Sequence, residues 1–167
     1  MTDARKFLAS LLTFLAIAFN ALTATADAPG LTVVGLDGSE MRITASQWAA
    51  LPRESLDVID HGGSPAHFEG VPGREVLKLV GAPLDQQLRG ANLAVFVVAE
   101  AADGYRVVYS LAEFDSGFRD AIILVADKKN GKALATEEGP LRIVVPGEKR
   151  QGRWTRQLVA LKLGKAP

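Results

Sequence analysis

Glu138-Gly139-Pro140-Leu141-Arg142-Ile143-Val144-Val145-Pro146 is the stretch on which the reading of the fold turns. Leu141 to Val145 predicts a strand, rich in β-branched residues and bounded by prolines. Proline cannot donate to a ladder, so the flanking pair suits an edge strand. Toward the N-terminus, Asn130-Gly131 is a turn dipeptide, and Ala121 to Ala126 is an apolar strand ahead of it. Asp103-Gly104 turns the chain into Tyr105 to Tyr109, where Tyr105, Val107 and Tyr109 share one face and Arg106 and Val108 the other. Ser110 is placed to cap a short helix over Leu111 to Phe114. Leu93 to Ala99 is nearly continuous apolar sequence and predicts a strand buried on both faces. On the other side of the opening stretch, Leu158 to Leu163 predicts a closing strand.

Farther upstream, Pro72 opens a helix in which Val76, Leu77, Val80 and Leu84 keep helical spacing, with Gly81 and Pro83 to end it. Leu56 to Ile59 predicts a strand, and His61-Gly62-Gly63-Ser64-Pro65 a loop. Thr44 or Ser46 caps a short helix through Trp48 to Leu51, stopped by Pro52. Leu31 to Leu36, Asp37-Gly38 and Met41 to Ile43 form a hairpin. The elements add up to one α+β domain: strands in a mixed sheet or barrel, with short helices packed against it.

An ordered set of these pieces resembles a known family. Phe68-Glu69-Gly70-Val71-Pro72 with Leu77 and Gly81-Ala82 comes first. Asp103-Gly104-Tyr105, Asn130-Gly131-Lys132-Ala133-Leu134, the stretch from Glu138 to Pro146, and Arg153-Trp154 follow in order. Together they are similar to the oxidoreductase molybdopterin-binding domain of sulfite oxidase and its bacterial relatives, over about Phe68 to Leu163. The resemblance implies a sulfite-oxidase-type fold in which loops at one edge of a mixed sheet hold the pterin, and in which a cysteine thiolate completes the molybdenum. This chain has no cysteine. Ser or Asp would be a harder, poorer ligand for that centre. What carries over is therefore shape. No cofactor is expected, although the resemblance itself points to molybdopterin, and the chain is read as a binding or accessory domain rather than a working oxidoreductase. The alternative is an oxidoreductase subunit that holds molybdopterin non-covalently beside a redox partner.

The N-terminus reads as a secretory signal: Arg5-Lys6, an apolar segment from Phe7 to Leu22, then Ala24-Thr25-Ala26 with cleavage expected after Ala26. That segment falls short of the roughly 20 residues a spanning helix needs, so no membrane attachment is expected after cleavage. Residues 1–26 are thus a leader and residues 27–167 the mature domain, periplasmic or secreted. Arg5-Lys6-Phe7 is not a twin-arginine motif, and export as an unfolded chain would leave a cytoplasmic cofactor behind. The lack of cysteine also excludes disulfides, thiol catalysis and iron–sulfur clusters.

Formal charge is balanced overall, yet residues 27–127 carry 7 Lys/Arg and 15 Asp/Glu while residues 128–167 carry 10 and 3. Such asymmetry marks either a site for an anionic ligand or two segments that neutralise each other as neighbours. No basic stripe interleaved with aromatics is present, so nucleic acid is not an expected partner; a small anionic ligand and a periplasmic protein are.

The candidate ligand contacts are Asp103, Tyr105, Arg142 and Arg153. Arg142 suits a carboxylate or phosphate bidentately, but it can equally pair with Asp103 or Glu138 and pin two loops. Arg153, Trp154 and Arg156 make either a cationic-aromatic lip or an exposed face beside a half-buried ring. His61 and His67 match no familiar zinc spacing, and no nucleophile, metal or phosphate-loop motif occurs. No catalytic residue and no metal ligand are assigned.

Overall fold

The computed structural model describes residues 30–167, so the expected leader and its cleavage point lie outside the described residues. Asp37-Gly38 turns β1 (Thr32–Val34) back onto β2 (Glu40–Arg42), with the Gly35 amide donating to the Ser39 carbonyl and the Asp37 carboxylate accepting the Ser39 amide. Thr44 caps α1 (Ala45–Ala50) in a capping box with Gln47. Trp48, the buried residue of that helix, donates its indole N–H to Asp127 at 2.7 Å. Arg53 grips the same carboxylate with two N–H groups, so one aspartate ties the helix and its exit to the sheet.

β3 (Glu54–Ile59) pairs antiparallel with β4 (Pro65–Pro72). The sequence gives no strand signal at β4, because Pro65, Gly70 and Pro72 all weaken local propensity. Tertiary pairing overrides this: β4 is hydrogen-bonded to β3 on one side and to β7 (Leu124–Lys129) on the other. α2 (Gly73–Lys78) starts directly after Pro72, as expected, and is only a turn and a half long.

β5 (Val95–Ala101) corrects an expectation. Val95, Val97, Ala99 and Ala101 are buried, but Phe96, Val98 and Glu100 on the other face are partly exposed. The strand lies in a largely antiparallel sheet with one face on the core, and alternation is the pattern such a sheet requires. Phe96 lies over Gly164 of the neighbouring strand, and Glu100 bonds Arg106 and Lys162 across the open face.

β6 (Arg106–Ser110), β8 (Lys132–Ala133), β9 (Arg142–Val144) and β10 (Leu158–Lys165) complete two sheets. The first runs β2-β1-β10-β5-β6, with β1 parallel to β10; the second runs β3-β4-β7-β8, with β9 also on β7. The order leaves both sheets open, so of the two arrangements expected the mixed sheet is found and the barrel is not. The core between them holds Leu31, Phe68, Leu77, Val97, Leu124, Ile143 and Leu161, all at 0% exposure, each contributing about 1.5–3 kcal/mol if a fully buried large apolar side chain is the guide. Among the described residues no helix is long and apolar enough to cross a membrane.

Candidate functional site

One cleft of about 1040 Å³ opens where three loops meet. The tip of the β3–β4 hairpin supplies Ile59, Asp60 and His61. The β5–β6 turn supplies Asp103 and Tyr105, and the segment between β9 and β10 supplies Lys149, Arg150, Gln151, Trp154 and Arg156. Gly104 has a φ of +85°, the left-handed conformation that closes the Asp103-Gly104 turn and that glycine adopts at no steric cost.

Arg142 lies on the floor. It is 1% exposed, donates to Glu138 at 2.9 Å and to Asp60 at 3.4 Å, and its guanidinium sits between the rings of Phe68 (5.0 Å) and Trp154 (5.5 Å). Burial lowers its pKa, and the charges of Asp60 and Glu138 act in the opposite direction. Lys129 joins the cluster through Asp60 at 2.5 Å. Of the two roles open to Arg142, the geometry gives it the pinning one, with Glu138 as expected and with Asp60 in the place proposed for Asp103. Asp60 escaped sequence reasoning because its partners lie 69 and 82 residues away, with no spacing to signal them.

The other candidates separate. Asp103 accepts the Tyr105 amide at 2.9 Å and otherwise faces solvent without an ion pair among the described residues. Tyr105 is 51% exposed, and its hydroxyl donates to the Gly152 carbonyl at 2.7 Å, which links two walls of the cleft. Arg153 does not line the cleft. It bonds Glu113 and Glu148, each at 2.6 Å, and stacks 4.6 Å from the Tyr109 ring, whose hydroxyl donates to the Arg153 carbonyl. Arg153 is a brace for the β9–β10 segment. Burial raises the Tyr109 pKa far above its ordinary value, so its phenol stays protonated and remains a donor.

Arg156 and Trp154 are marked in the sequence as part of a cationic-aromatic lip, whereas Lys149 and Arg150 are not. Lys149, Arg150 and Arg156 line the cleft and make no ion pair among the described residues, whereas Lys129, Arg142 and Arg153 nearby are all paired. Part of the charge asymmetry is therefore neutralised by ion pairs, and part is left without an ion pair at the cleft among the described residues. In addition, Trp154 Nε1 and Arg142 Nε are buried donors with no hydrogen-bond partner among the described residues. His61 reaches the cleft while His67 pairs with Asp57 at 2.8 Å elsewhere, and among the described residues no group of three or more His, Asp or Glu is placed to hold a metal ion.

The Asp60 cluster carries a pH prediction. Burial by itself would raise the Asp60 carboxyl, but the Lys129 bond, the His61 amide and the Arg142 charge outweigh it and hold the pKa below the ordinary value. A depressed carboxylate adds stability that is fully present above its unfolded-state pKa and lost as pH falls through the folded-state value. Unfolding free energy is therefore expected to drop below about pH 4. Urea titrations across pH check this: Asp60→Asn should flatten the acid limb, and an unchanged limb would exclude Asp60 as a cause.

Two open sheets enclosing one core, with a loop-built cleft at their edge, match the sulfite-oxidase-like molybdopterin-binding fold on comparison with known proteins. The structure is similar to that of the sulfane dehydrogenase SoxCD from Paracoccus pantotrophus, with a TM-score of 0.59 and 18% identity, over 80% of this chain and 37% of that one. The chain belongs to the oxidoreductase molybdopterin binding domain family, which matches residues 30–167. The match to SoxCD spans little more than a third of that protein's chain. No curated protein matches at a significant level.

The family binds molybdopterin, and the residues present do not fit its thiolate-ligated metal centre. The chain has no cysteine to supply sulfur, and the cleft offers carboxylate oxygen in its place, from Asp60 and Glu148, which are engaged by cations, and from Asp103 and Glu137. A soft dithiolene-bound metal has no matching donor here.

Proposed function

We propose that this is an extracytoplasmic binding or accessory domain, built on the molybdopterin-binding fold without protein-ligated molybdenum, whose cleft receives a small anionic ligand. The observation that carries it is the set of three unpaired cations, Lys149, Arg150 and Arg156, lining a cleft in a chain that has no thiolate. Several guanidinium and ammonium groups gathered at one concave surface attract an oxyanion more strongly than one of them alone on an open face. The N-terminal signal-like segment supports the location. A periplasmic protein is a further partner under this reading.

The test is calorimetric titration of the mature protein with caproate, a simple monocarboxylate, together with metal analysis of protein taken from its own host. Caproate should bind, and Arg156→Gln should weaken binding roughly tenfold, the effect of about 1.4 kcal/mol. Arg156 is exposed and unpaired, so its loss leaves the fold intact. Molybdenum near one atom per chain would favour the other reading, an oxidoreductase subunit holding molybdopterin non-covalently. Absence of any anion binding would refute the first.

A further inference from the structure

The same cleft holds unpaired charge of the opposite sign. Asp103 lines it from the β5–β6 turn, makes no ion pair among the described residues, and is exposed to solvent. Beside it stands Tyr105, half exposed and fixed in place by its bond to the Gly152 carbonyl. A free carboxylate next to an aromatic ring is what an organic ammonium group seeks, since the charge pairs with one and the quadrupole of the ring attracts it as well. The segment between β9 and β10 presents Lys149, Arg150 and Arg156 to the same space. Trp154, 5% exposed, stands in the same wall, and its buried indole N–H has no hydrogen-bond partner among the described residues.

We infer that the ligand is a zwitterion whose ammonium and oxyanion are held apart by a spacer, with the ammonium at Asp103 and Tyr105 and the oxyanion at Arg156, Lys149 and Arg150. This rests on the anion-binding reading of the cleft and adds the second charge and its place. A purely anionic ligand would leave Asp103 facing a like charge, which disfavours it. A purely cationic one would meet three unpaired cations. A volume of about 1040 Å³ is ample for an extended organic molecule with charges at both ends. Glu137 also lines the cleft, but it enters from the side that carries Arg156 and has no aromatic neighbour among the lining residues there.

The experiment is a matched trio: ε-aminocaproate, caproate and hexylamine, which share a carbon chain and differ in which ends are charged. Isothermal calorimetry on the mature chain gives each affinity, and Trp154 fluorescence gives an independent readout, with Trp154→Phe identifying the signal against Trp48. The zwitterion should bind roughly tenfold more tightly than caproate, and hexylamine more weakly than either. Asp103→Asn keeps the oxygen that accepts the Tyr105 amide and removes only the charge, so it should erase the preference, with ε-aminocaproate binding no more tightly than caproate. Caproate binding as tightly as ε-aminocaproate overturns the inference and leaves the anion site standing. Loss of the preference in Glu137→Gln but not in Asp103→Asn overturns the placement. Failure of both caproate and ε-aminocaproate to bind overturns the inference and the anion reading together.

Discussion

Arg142→Ala is expected to lower the unfolding free energy by about 3–5 kcal/mol, the range for breaking a buried ion pair from one side. The guanidinium is 1% exposed, so its removal leaves Asp60 and Glu138 facing a cavity rather than water. Lys129 remains as a partner for both carboxylates, at 2.5 and 3.5 Å, which places the expectation nearer the lower figure. The change also empties the space between Phe68 and Trp154, two rings that meet edge-on at 6.3 Å with the guanidinium against both. Urea unfolding followed by far-UV circular dichroism measures the effect. Arg142→Met fills the volume without the charge and should recover part of the loss, separating packing from electrostatics. A loss under about 1 kcal/mol in the alanine variant would mean that Arg142 is not the keystone of the cleft floor.

That result would also fix the division of labour among the candidate residues. Arg142 and Arg153 are both in a position to bind an anion by residue type, yet both are consumed by carboxylates of the same chain. A guanidinium already bridging two carboxylates has little remaining attraction for a third. Lys149, Arg150 and Arg156 make no ion pair among the described residues, and Glu148, the carboxylate on their own loop, is taken by Arg153. Where a ligand binds is decided by which cations are left over after folding, and pairing across 40 or 82 residues is invisible to spacing rules.

The legible part of the fold was the part written in local chemistry. The Asp37-Gly38 and Asn130-Gly131 hairpins, the Thr44 and Ser110 caps and the proline-bounded β9 all follow from residues within a few positions of one another. β4 was illegible for the opposite reason. Its prolines and glycine argue against a strand locally, and only the two neighbours it finds in space make it one. β5 was read as a strand but given the wrong environment, since a run of valine and alanine looks the same whether or not a second layer covers its outer face. In the candidate site, Asp103 and Tyr105 follow from their turn and Arg156 from its place beside Trp154, whereas the roles of Asp60, Lys149 and Arg150 emerge only from the assembled sheets.

Gly70→Ala is expected to destabilise by about 3 kcal/mol, at the upper end for overpacking. On propensity alone the change should help, because glycine inside a strand is worse than alanine by roughly 0.5–1 kcal/mol. Space reverses the sign. Gly70 lies where β4 shifts register against β7, and a methyl group there would overlap the Val125 carbonyl oxygen and the Ala126 Cα, both backbone atoms that cannot swing aside as a side chain can. Relief requires parting β4 from β7. Two residues away, Phe68 packs under Arg142, and one residue beyond the contact Asp127 anchors Trp48 and Arg53, so the disturbance reaches both the cleft floor and α1. Gly152→Ala is the matched control, because a methyl group there meets nothing and its backbone lies outside the left-handed region; it should stay within about 0.5 kcal/mol of the parent. Thermal melting of the two variants makes the comparison. If Gly70→Ala melts with the parent while keeping its circular dichroism, the close approach of β4 to β7 is wrong, and with it the register that sets Phe68 beneath the cleft.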